Sequence, residues 1–111
     1  MSWWKTRSEL AVQAGAALAD LGSTSGTVAD AMALFGAQGW PHGQANPVAL
    51  YLHAVLMADP RVCYVEVDRA RLRIWARRWQ RPVVVDLPRA VSEFMFLFDR
   101  GYFPWLIQDA P

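Results

Sequence analysis

Residues 62–77, VCYVEVDRARLRIWAR, decide the fold of this 111-residue chain. Residues 62–67 are rich in β-branched side chains, residues 71–77 alternate strictly between polar and apolar types, and the short turn at 68–70 makes the two strands a hairpin. The alternation predicts a buried face formed by Cys63, Val65, Val67, Leu72, Ile74 and Ala76. The opposite, outward face is predicted to carry Tyr64, Glu66, Arg71, Arg73, Trp75 and Arg77.

Helical patterns surround this hairpin, and a third strand follows it. Apolar residues recur at helical spacing before the hairpin. After it, a third strand is predicted at Val83-Val84-Val85, with Pro82 at its start. The tail at residues 102–107 is too apolar to be a free end, so we expect it to pack on the sheet or on a partner. The predicted helices cover residues 6–21, 28–37, 47–58 and 88–99, and the third strand covers residues 83–87.

Three local signals give the predicted helix starts. Thr6 and Glu9 have capping-box spacing for the first helix, and Thr27 and Asp30 open the second. Asn46 followed by a proline is a strong start for the third helix, because Asn caps and Pro fits the first helical position. The sequence therefore predicts one α+β domain over residues 1–111, with three helices, a small antiparallel β-meander, and a C-terminal helix with an apolar tail.

Composition excludes several classes of protein. The chain is 54% apolar, which excludes wholesale disorder. It contains no run of 18 apolar residues, so we expect no membrane-spanning helix. Cys63 is the single cysteine, so no internal disulfide or multi-cysteine zinc site can form, and we expect it to be a small buried apolar residue. We predict a cytoplasmic protein that does not contact a membrane.

No catalytic or cofactor signature is present in the sequence. His42 and His53 lack metal-ligand spacing, and no Gly-x-Ser-x-Gly motif occurs. The glycine- and serine-rich turn at residues 22–26 lacks the Gly-Lys-Ser/Thr ending of a phosphate-binding loop. We therefore predict no enzyme activity, no cofactor, no metal and no small-molecule substrate.

Positive charge is concentrated in one segment. The whole chain has a formal charge of +1, but residues 61–81 carry seven arginines against two acidic residues, which gives +5. Guanidinium groups bind phosphate bidentately, and indole rings stack on bases or sugars. The predicted nucleic-acid-binding residues are Arg69, Arg71, Arg73, Trp75, Arg77, Arg78 and Arg81. A solvated strand face with arginines paired to carboxylates, or an acidic protein partner, are the alternatives.

The order of the elements, three helices followed by a β-hairpin with a basic turn, resembles the winged helix-turn-helix family. The resemblance covers residues 6–85, with the helix-turn-helix at residues 27–37 and 47–58 and the wing at residues 62–85. It implies DNA binding. Because the third helix carries no basic residue, the contacts would come mainly from the arginine-rich hairpin, with Gln44 and Asn46 assisting.

Two functions follow as hypotheses. The first is a small non-enzymatic regulator that binds nucleic acid through the basic hairpin, as a dimer. The second is a protein–protein interaction or adaptor module without nucleic acid, as a homodimer or docked to another protein, because apolar and aromatic side chains interrupt predicted polar faces. The predicted partner-binding residues are Leu50, Met57, Phe96 and Trp105.

Overall fold

The computed structural model describes residues 3–41, 45–76 and 81–107, without the side chains of Trp3 and Trp4. Over these ranges the fold is α+β, as predicted, with four α-helices and a three-stranded antiparallel sheet in the order β1-β2-β3. The elements are α1 (Trp3–Ala19), α2 (Ser25–Leu34), α3 (Pro47–Met57), β1 (Val62–Val67), β2 (Arg71–Ala76), β3 (Val83–Asp86), α4 (Arg89–Asp99) and a short 3₁₀ helix (Pro104–Leu106).

The sheet has one buried face and one open face. Leu72 and Ile74 of β2 are completely buried, while Arg71 of the same strand is exposed, so the alternation predicted for this strand is confirmed. On the buried side, α1 packs against β3 and α3 packs against β1. The buried face of the sheet consists of Val62, Val65, Val67, Leu72, Ile74, Ala76 and Val83.

The predicted burial of Cys63 is wrong, because the thiol-bearing residue is exposed. Val62 pairs with Ala76 while Tyr64 pairs with Trp75, so the register shifts between Val62 and Tyr64. Cys63 is therefore the extra residue of a β-bulge, which breaks the simple alternation and turns its side chain away from the core. Val62 takes the predicted place of Cys63 on the buried face.

Helix starts were predicted with mixed success. Asn46 caps α3 as predicted, since its Oδ1 accepts from the Ala49 amide at 2.9 Å. In contrast, Thr6 is not a cap but a buried residue inside α1, which begins at Trp3. The cap of α2 is Thr24, and Thr27 is the third helical residue whose hydroxyl interacts back with Thr24. The reciprocal Thr24–Thr27 pair starts the helix three residues before the predicted site.

The apolar tail packs on the chain itself, against α2 and the α2–α3 loop. Leu106 is buried, and its carbonyl accepts from the Gly39 amide at 2.9 Å. Gly39 forms a parallel bridge with Ile107. A side chain at Gly39 would collide with the Ala45 carbonyl oxygen, so glycine allows the two ends of the α2–α3 loop to approach each other closely. Within the described ranges, no helix has the length and apolar character to cross a membrane.

The Thr24 cap gives a stability prediction. We expect Thr24→Ala to lower the free energy of unfolding by about 1 kcal/mol, because the Thr27 amide loses its 3.1 Å acceptor. Urea denaturation measures this change, and Ser23→Ala, at the adjacent exposed residue, is the matched control. Equal unfolding free energies for the two variants would contradict this assignment of the cap.

Candidate interaction surface

The open face of the sheet is where the predicted binding residues meet. In the register of the strands, Tyr64 of β1 lies opposite Trp75 of β2, and Glu66 lies opposite Arg73. On the other side of β2, Arg73 lies opposite Val84 of β3 and Arg71 lies opposite Asp86. Side chains opposite one another on the same face contact across the strands. The open face therefore has an aromatic end and an end of alternating charges.

Arginines on the open face are paired with carboxylates. Arg73 Nη1 donates to Asp68 Oδ2 at 2.5 Å, and Arg71 Nε lies 3.5 Å from Asp86 Oδ1. Asp86 belongs to β3, which lies outside the basic segment, so its charge was not counted in the local excess. Among the described residues of this face, positive and negative charges are interleaved. At Arg71 and Arg73, the positive ribbon expected from the sequence is therefore paired with carboxylates.

Two further arginines of the segment, Arg69 and Arg61, pair with carboxylates outside the open face. Arg69 pairs with Asp99 of α4 at 3.3 Å. Arg61 pairs with Asp59 at 2.8 Å and with Glu9 of α1 at 2.6 Å, and hydrogen bonds to Asp59 and then Glu9 raise its pKa. The Arg61 guanidinium therefore pairs with α1 and the Arg69 guanidinium with α4, and neither extends the predicted ribbon.

Arg81 lies two residues before β3. Its side chain is exposed, while its carbonyl accepts from Arg7 Nη1 at 3.2 Å. Arg77 and Arg78, which the sequence also predicted to bind nucleic acid, lie outside the described residues. The structure thus brings Arg71, Arg73 and Trp75 together on one face and sends Arg69 to α4.

Asp68 is the most perturbed carboxyl near this face. The hydrogen bond from Arg73 lowers the pKa of Asp68 to about 2, and hydrogen bonds from the Ala70 and Arg71 amides act in the same direction. Burial of the carboxyl opposes them. Asp68 therefore ties the β1–β2 turn to the open face and keeps Arg73 engaged.

Apolar side chains form a strip across the open face and onto α3. The rings of Tyr64 and Trp75 are 5.4 Å apart and tilted by 44°. Tyr64 also lines a cleft of about 290 Å³ together with Leu50 and His53 of α3. Val84 is half exposed and lies diagonal to Trp75 on the neighbouring strand. We call Leu50, Tyr64, Trp75 and Val84 the apolar strip.

The four predicted partner-binding residues are all exposed, but the structure places them on different elements. Leu50 and Met57 lie on α3, at the spacing that places them on one side of the helix. Phe96 lies on α4, where Arg100 stands over its ring at 4.3 Å, and Trp105 lies on the 3₁₀ helix. Of the four, only Leu50 belongs to the apolar strip.

Sequence reasoning missed two members of the strip as binding residues. Tyr64 was assigned to the outward face, and its opposition to Trp75 was available from the hairpin register. Val84 carried no such signal, because three consecutive valines do not show which one points outward. Within residues 3–41, 45–76 and 81–107, no group of three or more potential metal-ligating side chains is found.

Comparison with known proteins found no matching family model, no matching curated protein and no matching solved structure. The case for function therefore depends on the chemistry of the surface.

The Asp68–Arg73 pair gives a titration prediction. In the native protein, we expect the Asp68 carboxyl to titrate near pH 2, and Arg73→Gln to return its pKa toward 3.8. Since the folded-state pKa is lowered, the ionised carboxylate stabilises the fold above its ordinary pKa, and this contribution disappears as the pH falls toward 2. Carboxyl-carbon NMR titration measures both values.

Arg71→Gln is the matched control for this titration. Its guanidinium lies against Asp86 rather than Asp68, so removing it should leave the Asp68 pKa in place. An Asp68 pKa that responds equally to both substitutions would show that the general positive field, and not the Arg73 hydrogen bond, is responsible.

Proposed function

We propose that this protein is a cytoplasmic, non-enzymatic protein-interaction module that binds a partner protein through the apolar strip. The observation that carries the proposal is the run of apolar side chains from Leu50 on α3, through the Tyr64–Trp75 pair, to Val84, which lies diagonal to Trp75 in the strand register. Aromatic side chains are enriched in protein interfaces, and fully desolvated aromatic contacts supply much of their binding energy. The exposed thiol of Cys63 suits a reducing compartment.

The charges beside the strip favour a protein partner. Glu66 and Arg73 face each other, and Arg71 and Asp86 face each other, so the border of the strip offers both signs of charge. A polar rim of mixed charge around an apolar centre is the usual organisation of a protein interface. Such a border selects partners by complementary charges without a strong long-range field.

Nucleic-acid binding through the basic hairpin is the second candidate. It is favoured by one arrangement, in which the Trp75 ring shares a strand face with Arg71 and Arg73. Exposed ion pairs contribute little stability, so phosphates would compete with Asp68 and Asp86 for these guanidinium groups. The interleaved carboxylates make this candidate the weaker one, since phosphate binding depends on a surplus of positive charge.

A selected peptide ligand tests the proposal. Peptides enriched from a phage-displayed random library on the native protein are to be titrated against variants by fluorescence anisotropy. We expect Leu50→Ser/Tyr64→Ser to weaken binding by about tenfold or more, because two apolar contacts of the strip are removed. The matched control is Leu34→Ser/Tyr102→Ser, which removes the same residue types at more exposed positions outside the strip.

Equal loss of affinity in the two double variants, or no loss in the strip variant, would contradict binding at the strip.

A gel-shift assay with a random-sequence DNA duplex tests the second candidate in parallel. Retardation that weakens steeply with salt, disappears in Arg71→Gln/Arg73→Gln and persists in the strip variant would favour nucleic-acid binding instead.

A further inference from the structure

The free edge of β3 exposes unpaired backbone groups. The Leu87 amide donates to the Ala70 carbonyl at 2.9 Å, so these two residues form a hydrogen-bonded pair at the end of the β2–β3 ladder. Hydrogen-bonded and non-hydrogen-bonded pairs alternate in antiparallel sheets. By this alternation, Val83 and Val85 bond to β2, whereas the N–H and C=O groups of Val84 and Asp86 point away from it. We call these outward groups the β3 edge.

The residues of the β3 edge have solvent-exposed side chains. Val84 is 49% exposed, and the Asp86 side chain is 87% exposed. Within the part of the chain that the structure describes, no other backbone group bonds to the main chain of either residue. Nearer the strand start the edge is closed, because Arg7 Nη2 donates to the Pro82 carbonyl at 3.1 Å. The accessible edge is thus limited to Val84 and Asp86.

The opposite edge of the sheet is covered. The same alternation directs the Val65 backbone away from β2, but α3 packs along β1 and leaves Val65 only 3% exposed. Covering an edge with a helix is a common way to prevent pairing with another chain. At Val84 and Asp86, by contrast, no main-chain partner is found within the described residues, so we take the β3 edge as the place where this sheet can be extended.

We propose that two copies of this chain associate through the β3 edge, antiparallel, about a twofold axis at Val85. In this register Val84 of each copy lies opposite Asp86 of the other. The Val84 amide of one copy donates to the Asp86 carbonyl of the other, and the Asp86 amide of that other copy donates back to the Val84 carbonyl of the first. The twofold repeats these bonds, so every outward backbone group of both residues in both copies is satisfied. The result is one continuous sheet across the two chains.

Prolines select this register. A shift by two residues in either direction would place Pro82 or Pro88 at a position that must donate a hydrogen bond, and proline has no N–H. With the axis at Val85, Pro82 of one copy lies opposite Pro88 of the other, and the ladder ends there. The strand is therefore complementary to itself only over Val84–Asp86, as a twofold interface requires.

Side chains are compatible with the pairing. Val85 lies on the inner side and is only half-buried in the single chain, so facing its own copy completes its burial. Residues in a non-hydrogen-bonded pair approach closely, with Cα atoms about 4.5 Å apart. On the open face, Val84 lies beside Asp86 of the second copy, which leaves Tyr64 and Trp75 uncovered. Val84 belongs to both surfaces, but the dimer uses its main chain, and the strip variant Leu50→Ser/Tyr64→Ser changes neither residue of the β3 edge, so the two proposals are tested separately.

Sedimentation over a concentration series tests the dimer. We expect the native protein to show a reversible monomer–dimer equilibrium. Val84→Pro removes the outward N–H of Val84 from each copy and leaves the hydrogen bonds to β2 in place. It should raise the dissociation constant of the dimer by about tenfold or more. Val84→Ala shortens the same side chain but keeps the N–H, so it should remain within a few-fold of the native protein.

Amide hydrogen exchange of the native protein supplies a second readout. With rising protein concentration, the Val84 and Asp86 amides should become protected, while the Val83 and Val85 amides, already bonded to β2, should not change. If Val84→Pro fails to fold, judged by loss of a cooperative thermal transition, this measurement decides alone. The proposal is overturned by a native protein that stays monomeric, by a dimer without protection at Val84 and Asp86, or by a folded Val84→Pro that dimerises as tightly as the native protein.

Discussion

The central position of β2 is the constraint on which the rest of the structure depends. Its Leu72 and Ile74 side chains are completely buried, and its backbone must bond to a strand on each side. A slip of one residue against β1 or β3 would turn Arg71 and Arg73 into the core, where uncompensated charges are very costly. The register of β2 with both neighbouring strands is therefore fixed by the burial of Leu72 and Ile74. The pairing of Tyr64 with Trp75, the ion pairs of the open face and the direction of the β3 edge all follow from it.

Charge in this protein has to be counted in space rather than along the chain. The basic segment is strongly positive when its own residues are counted, yet the fold brings carboxylates to it from distant parts of the sequence. Glu9 of α1 reaches Arg61, Asp86 of β3 reaches Arg71, and Asp99 of α4 reaches Arg69. These pairs are largely exposed and individually weak. At Arg61, Arg69 and Arg71, the local positive charge is therefore offset by carboxylates that lie far away in the sequence.

Much of the fold was predictable from local pattern. The limits of β1 and the cap of α3 at Asn46 were correct, because strand alternation and an Asn-Pro start are strong local signals. Two predictions were wrong. The start of α2 is set by the Thr24 cap rather than by Thr27, and a β-bulge exposes Cys63. For the candidate site, the outward face was predictable, but the ion partners of its arginines were not, since tertiary contacts supply them.

The open face bears side chains that folding alone does not explain. Helices α1 and α3 cover the inner face, which supplies the sheet's share of the core, whereas Tyr64 and Val84 remain about half exposed on the other side. Single exposed apolar residues are ordinary, but neighbouring ones that extend from strand to strand and onto a helix form a patch. Here the patch is bordered by the paired charges of Arg71 with Asp86 and of Arg73 with Asp68. This combination, an exposed apolar patch that adds little to the core and has charges at its border, is the reason why we propose that another protein binds here.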